Sequence, residues 1–448
     1  MAGNVSLLTG VRRLFYLVTP NETSFRDVSD VPNYTRESVP SFMLFVAIEL
    51  TISLIKGDKK MRINDGVTSM SAGLFSRLPL YLMRTVELGS YVWVFEKFCV
   101  YELAWDSAWT WWLAFLAVDL GYYWFHRLAH EVNIMWAAHQ VHHSSEDYNL
   151  TTALRQSVLQ KYTSWMFYLP LALFIPPSVF LVHQQFNILF QFWIHTEYVK
   201  SLGPLEYILN TPSHHRVHHG RNPYCIDKNY AGTLIVWDRL FGTFQAEDET
   251  VVYGLTHPVG TFEPFKIQFC HLHYMWGRFK EEKGLANKLS VIFKGPGWER
   301  GKPRLGNIED IPKVCYPVEK YSSCVPPWCG LYICIHFFII IQLNQQIAAS
   351  YRVLPVTFVL LSEVFVLLSL TSFGRLFDNS DYSPLLELFR CVLFLTADLI
   401  LGVLGYQDLK SRPLAMRFVQ YWYITSVVIW IVRQVTFYSG RLEKNKQM

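Results

Sequence analysis

The sequence predicts an all-α protein: a polytopic integral membrane helical bundle with a histidine-rich two-metal site facing the cytosol. Three observations carry this reading. Of 448 residues, 51% are hydrophobic and 16% aromatic, and the mean hydropathy is +0.17, which is apolar for a water-soluble chain. Apolar segments recur along the chain, several near the ~20 residues that a spanning helix needs. Eleven of the fifteen histidines lie between His126 and His219. The net charge of +4 is mild and no long basic stripe occurs, so no nucleic-acid partner is expected. The eight cysteines form no C-x2-C pair, which argues against a thiolate zinc site or a disulfide framework.

The elements follow in order. Residues 1–40 hold three N-glycosylation sequons, starting at Asn4, Asn21 and Asn33, and are expected to be lumenal. Residues 41–104 form the N-terminal membrane helices, from the apolar runs Ser41–Ile55 and Met70–Phe95. Lys56, Lys59, Lys60 and Arg62 then fall on the cytosolic side, as the positive-inside rule prefers. The second run carries Arg77, Arg84 and Glu87 and could lie in the interface instead of crossing. Residues 105–245 form the catalytic region, opened by Trp105–Phe125. Within it Thr163–Ile175 and Ser178–Ile194 meet at Pro176-Pro177, a helical hairpin that dips into the membrane and returns. Residues 246–325 read as a cytosolic segment. Residues 326–438 form a C-terminal four-helix membrane region from Pro326–Ser350, Leu354–Phe373, Pro384–Gly405 and Met416–Tyr438, and residues 439–448 a cytosolic basic tail. Lys410, Arg412 and Arg417 would then be lumenal, against the charge rule. Lys444–Met448 is similar to a lysine-based endoplasmic-reticulum retrieval signal, and a plain basic juxtamembrane tail explains it as well.

Eight histidines form three boxes: His126 and His130 as H-x3-H, His139, His142 and His143 as H-x2-H-H, and His215, His218 and His219 as H-x2-H-H. Spacings of three and four share one helix face, so each box aims its imidazoles at one point. Imidazole suits iron, copper, zinc and nickel, and eight nitrogen donors exceed what one ion takes. A two-metal site is the economical reading. The hairpin returns Gln191 and His195 to the same face, which makes His195 an additional ligand. His214 faces away from its box, and His183, His257, His271, His273 and His336 read as structural. Asp119, two turns before His126, is expected to orient a metal-bound imidazole, or else to be satisfied by another partner. Glu131, which follows box one directly, is a ligand, a base beside the metal, or an ion-pair partner of Arg127.

The boxes, in this order and spacing, resemble the fatty acid hydroxylase and sterol desaturase superfamily. So do the lead-in Asp119–Phe125, the stretch Asn229–Gly232, and Trp237–Thr243. This resemblance covers residues 105–245 and implies a non-haem di-iron oxygenase of the endoplasmic reticulum acting on lipid chains. His130-Glu131, the stretch Trp193–Glu197, the chain length and the four extra helices are similar to the ether-lipid-cleaving branch. That branch implies two irons, tetrahydrobiopterin as reductant and dioxygen as co-substrate. It also implies alkylglycerol or lyso-alkylglycerophospholipid as substrate, hydroxylated at the carbon beside the ether oxygen to give a hemiacetal that collapses to a fatty aldehyde. The superfamily says nothing of the C-terminal extension. His257–Gly260 lacks the second glycine of a haem-binding loop, so no fused haem domain is expected. The alternatives are a sterol or fatty-acyl hydroxylase or desaturase on the same site, a metal-ion transporter with ligands spread through the bilayer midplane, and an inactive scaffold.

Overall fold

A computed structural model of the chain describes residues 5–77, 80–404 and 412–447, without the side chains of residues 80–85 and 436–447. Asn4, Arg84, Lys410 and the side chains of the terminal basic tail, on which parts of the topology reading rest, lie outside the described residues. The described residues are helical, with only two isolated β-bridges. The chain forms two compact units, residues 1–259 with 266–320, and residues 260–265 with 321–448.

The first unit holds α1 (Val39–Lys56), α2 (Ile63–Ser76), α3 (Leu80–Phe98), α4 (Ala108–Glu131), α5 (Asn133–His143), α6 (Pro177–Trp193) and the short α7 (Pro212–His218). α1 ends at Gly57, whose φ of 64° is open to glycine at little cost. The segment read as one run over Met70–Phe95 is two helices, α2 and α3. α4 starts after Ser107 and stops at Val132, whose extended backbone lets α5 begin at Asn133 in a new direction. α6 is buried along most of its length and packs on α4. Its Phe186, Leu189, Phe192 and Trp193 meet Phe42 and Val46 of α1 in one core.

The hairpin is present, but its first arm is not an α-helix. Residues Trp165–Leu173 form a 3-10 helix with Pro170 inside it. Nine residues at ~2.0 Å each reach about 18 Å, short of the ~30 Å hydrocarbon core, so this arm is too short to span a bilayer. The proline removes a backbone donor, which explains the tighter winding.

The second unit is built on α8 (Pro327–Ser350), α9 (Val356–Phe377), α10 (Ser383–Val403) and α11 (Leu414–Gln447), each packed on the next. Its core is polar at one level. Glu387 accepts hydrogen bonds from Tyr332 (2.5 Å), Ser372 (2.6 Å) and Arg390 (2.8 Å), and Arg390 also donates to Tyr423 (2.9 Å). His336 lies between Arg390 and Ser426. His336, Glu387 and Cys391 bring metal-ligand atom types together, but the Glu387 carboxylate is already matched by Arg390, and both ring nitrogens of His336 are hydrogen-bonded, to Arg390 and Ser426.

Among the described residues four helices are long and apolar enough to cross a membrane: Val28–Lys56, Pro327–Ser350, Val356–Phe377 and Leu414–Val435. The protein is a multi-pass helical membrane protein.

Candidate metal centre

Nine histidines from four stretches of chain converge into two groups. One group is His126, His130, His139, His143 and His218; the other is His142, His195, His215 and His219. Within each group one nitrogen per residue lies within 4.8 Å of all the others, and every residue is buried. The three boxes therefore meet, and His195 joins them.

One expectation needs correction. Boxes two and three do not each aim at a single point. In box two the i, i+4 pair His139 and His143 serves the first group while His142 serves the second. In box three the split is reversed: His215 and His219 serve the second group and His218 the first. The geometry of an α-turn explains this. Residues i and i+4 stack on one stripe, whereas i+3 sits to the side, so one H-x2-H-H box straddles two neighbouring points.

The ring orientations are fixed from behind. His126 Nδ1 donates to the Tyr230 carbonyl (2.7 Å), His142 Nδ1 to Arg155 (3.0 Å), His195 Nδ1 to Gln191 (2.6 Å) and His218 Nδ1 to Lys228 (2.9 Å). His139 Nδ1 donates to the Gln160 amide oxygen (3.1 Å). A carbonyl only accepts, so each of these rings carries its hydrogen on Nδ1 and turns a bare Nε2 lone pair inward. Two such lone pairs face each other in each group: His126 Nε2 and His139 Nε2 at 2.9 Å, and His142 Nε2 and His195 Nε2 at 3.2 Å. The Nε2 atoms of His130, His218 and His219 are buried without a hydrogen-bond partner.

Converging lone pairs repel, and unpaired buried nitrogens are costly. A proton could relieve the clash, but burial opposes it. Burial holds His139 down to about 4 and His195 and His218 to about 3, below the usual imidazole range. A cation in each group resolves both problems. Nitrogens bound at ~2.0–2.1 Å at right angles stand about 2.9 Å apart, and at the tetrahedral angle about 3.3 Å. The observed 2.9–3.2 Å separations fit two metal positions, and five donors in one group exceed a closed four-coordinate zinc site.

Asp119 does not orient an imidazole. Its carboxylate is buried and accepts from Asn187 (2.7 Å), the backbone of Thr233 (2.8 Å) and Leu234 (2.9 Å), and the Trp237 indole (3.0 Å). The physical reason is the loop that closes over α4: its free N–H groups claim the acid. That loop carries Tyr230, whose carbonyl accepts from His126 Nδ1. Glu131 belongs to neither histidine group. It pairs with Arg127 (2.8 Å) and Arg304 (2.9 Å), the ion-pair alternative. His214 lies outside both groups against Phe244, and His183 is bonded to Tyr16.

Sequence reasoning missed Gln160, and Asp227, whose carboxylate is 3.7 Å from His130 Nδ1. Most of the missed groups are backbone carbonyls, which leave no residue-type signal. The stretch after box three did carry one. Asn229 bonds the carbonyls of His214 and Gln245, and Asp238 accepts from Tyr230 N, Ala231 N and Thr243, folding the loop that presents the Tyr230 carbonyl. Gly232 has no room for a side chain: a Cβ would stand 2.8 Å from Asn187 and 2.9 Å from Asp119.

Comparison with known proteins agrees with this geometry. The fatty acid hydroxylase family model matches residues 111–243, and the alkylglycerol monooxygenase C-terminal domain model matches residues 329–421. The alkylglycerol monooxygenase of Danio rerio is 52% identical over 99% of this chain and 98% of its own length. Those of Xenopus tropicalis and Homo sapiens are each 56% identical, over 87% and 88% of this chain and 88% of their own lengths. No solved structure matches. Full-length identity of this order, with both family models matched along the chain, shows that the chain belongs to the alkylglycerol monooxygenase family.

Proposed function

We propose that the protein is a membrane monooxygenase that acts on alkylglycerol lipids, hydroxylating the carbon next to the ether oxygen. The observation that carries the chemistry is the pair of inward-facing lone-pair contacts, one in each histidine group. The full-length relatives carry the substrate. The sterol and fatty-acyl alternatives, which share the site, are not favoured by the full-length relatives, and the transporter is not favoured because the donors converge at one place instead of spreading along a path.

We further propose iron at both positions, tetrahydrobiopterin as reductant, and an endoplasmic-reticulum location with the site facing the cytosol. Support for iron comes from the five donors of one group, more than a closed four-coordinate zinc site takes, and from the match to the fatty acid hydroxylase family. When bound, the metal pair supplies the activation of dioxygen. In the balanced reaction one oxygen atom enters the C–H bond beside the ether oxygen, the other leaves as water, and two electrons and two protons are consumed, the electrons from the reductant. The hemiacetal then breaks its bond to the ether oxygen, which takes the hydroxyl proton, to give a fatty aldehyde and free glycerol or, from the lyso-phospholipid, a glycerophosphodiester.

The chain's own residues set the stage. The backbone carbonyls of Tyr230, Lys228, Arg155 and Gln191 hold the imidazoles in one tautomer. Burial keeps those imidazoles neutral and excludes bulk water. Apolar helices on the membrane side let the alkyl tail remain in hydrocarbon while the head reaches the site. Purified protein loaded with iron(II) tests the reading: it should bind two ions per chain and release fatty aldehyde from alkylglycerol, dependent on dioxygen and a pterin. A retained hydroxyl or a new double bond on a sterol or acyl chain, without ether cleavage, would refute it.

A further inference from the structure

Glu49 is a buried carboxylate in the middle of α1, inside the apolar span Val28–Lys56, and is 4% exposed. An acid in such a helix is costly to bury, so its partners call for an explanation. Both oxygens are committed. Oε2 accepts the Leu150 backbone N–H at 2.6 Å, and Oε1 accepts the Thr196 hydroxyl at 2.6 Å.

These two partners lie on separate segments that serve the same metal position. Thr196 follows His195 directly. Leu150 lies in the turn that leads to Arg155, whose carbonyl accepts from His142 Nδ1. His142 and His195 both belong to the four-histidine group, with their Nε2 atoms 3.2 Å apart. Arg216 also donates to the carbonyls of Thr196 (3.1 Å), Val199 (2.7 Å) and Lys200 (2.9 Å), so the His195 segment is held by both Glu49 and Arg216. The five-histidine group is oriented by other atoms: the carbonyls of Tyr230 and Lys228 and the amide of Gln160.

We propose that Glu49 is a positioning residue for the four-histidine metal position, linking the first membrane helix to His142 and His195 at once. The inference rests on the two-metal reading above. It gives the acid in α1 a function that neither its own helix nor the histidine boxes reveal. Removing it loosens the backing of two of four ligands at one position and none at the other.

The experiment is a chelator titration of purified full-length protein loaded with iron(II), counting ions per chain for wild type, Glu49→Ala, Glu49→Gln and Thr196→Val. Loss of a group that orients a ligand lowers metal affinity ~10–100-fold. Glu49→Ala should release one ion at ~10–100-fold lower chelator and the other at the wild-type concentration. Thr196→Val, which removes one arm, should weaken the same ion. Glu49→Gln should restore both, because its amide oxygen accepts from Leu150 and its amide nitrogen donates to Thr196. A Glu49→Ala protein that keeps both ions at wild-type affinity, or loses both together, would overturn the proposal. Wild-type protein that binds fewer than two ions would overturn the two-metal reading itself, and the proposal with it.

Discussion

Asp119→Asn separates a loop-fastening acid from one that acts on the metal. The four donors divide evenly: Asn187 and Thr233 point to Oδ1, Leu234 and Trp237 to Oδ2. An asparagine replaces one oxygen with an NH2, so whichever way the amide turns, two buried donors lose their acceptor. Each such orphan costs ~1–3 kcal/mol, giving about 2–6 kcal/mol in all. The cost falls on the loop that runs from Tyr230 to Trp237, and from there on the His126 ring through the Tyr230 carbonyl. The assay is denaturant unfolding in detergent alongside ion counting at low denaturant. The expected result is a lower unfolding midpoint, with both ions still bound before the transition. An unchanged midpoint together with loss of one ion would refute the argument, because it would mean that the carboxylate acts on the metal position directly.

His218→Ala and His215→Ala, three residues apart, should weaken different ions, seen as loss of different steps in a chelator titration; loss of the same step by both would contradict the split of box three. Gly232→Ala should destabilise the protein by ~1–3 kcal/mol, since its Cβ would meet Asn187 and Asp119 inside normal contact distance; a neutral unfolding midpoint would count against that packing. Metal-free protein should lose stability as pH falls. His139, His195 and His218 have folded-state values below the unfolded one near 6.5, so the unfolded chain binds more protons between about 3 and 6.5. Their contribution is complete above pH 6.5 and fades below it, by up to about 1.4 kcal/mol per group per pH unit; unfolding midpoints measured from pH 7.5 to 5 check the sign.

Much of the site is legible in the sequence because its first requirement is residue type. Imidazoles at three- and four-residue spacing announce themselves, and the Pro176-Pro177 turn gives enough topology to bring His195 back beside them. How the boxes divide is not legible. Spacing fixes which side chains share a stripe, not which of two adjacent points that stripe meets, and the answer depends on how α5 and α7 are set against each other. Asp119 shows the same limit. Its position two turns before His126 is correct, but its partners come from residues more than a hundred positions away, and long-range pairing has no local signature. The 3-10 winding of Trp165–Leu173 was obscured because its hydropathy matches that of a helix, and only Pro170 hinted at the difference.

His142 and His143 are consecutive, as are His218 and His219, and each of these neighbouring pairs is divided between the two groups. Two peptide units thus bridge the gap between metal positions, and consecutive Cα atoms are a fixed 3.8 Å apart. The separation of the two groups is therefore limited by covalent bonds as well as by helix packing. Parting the two groups would require reorienting two consecutive pairs of imidazoles, and not only shifting one helix against another.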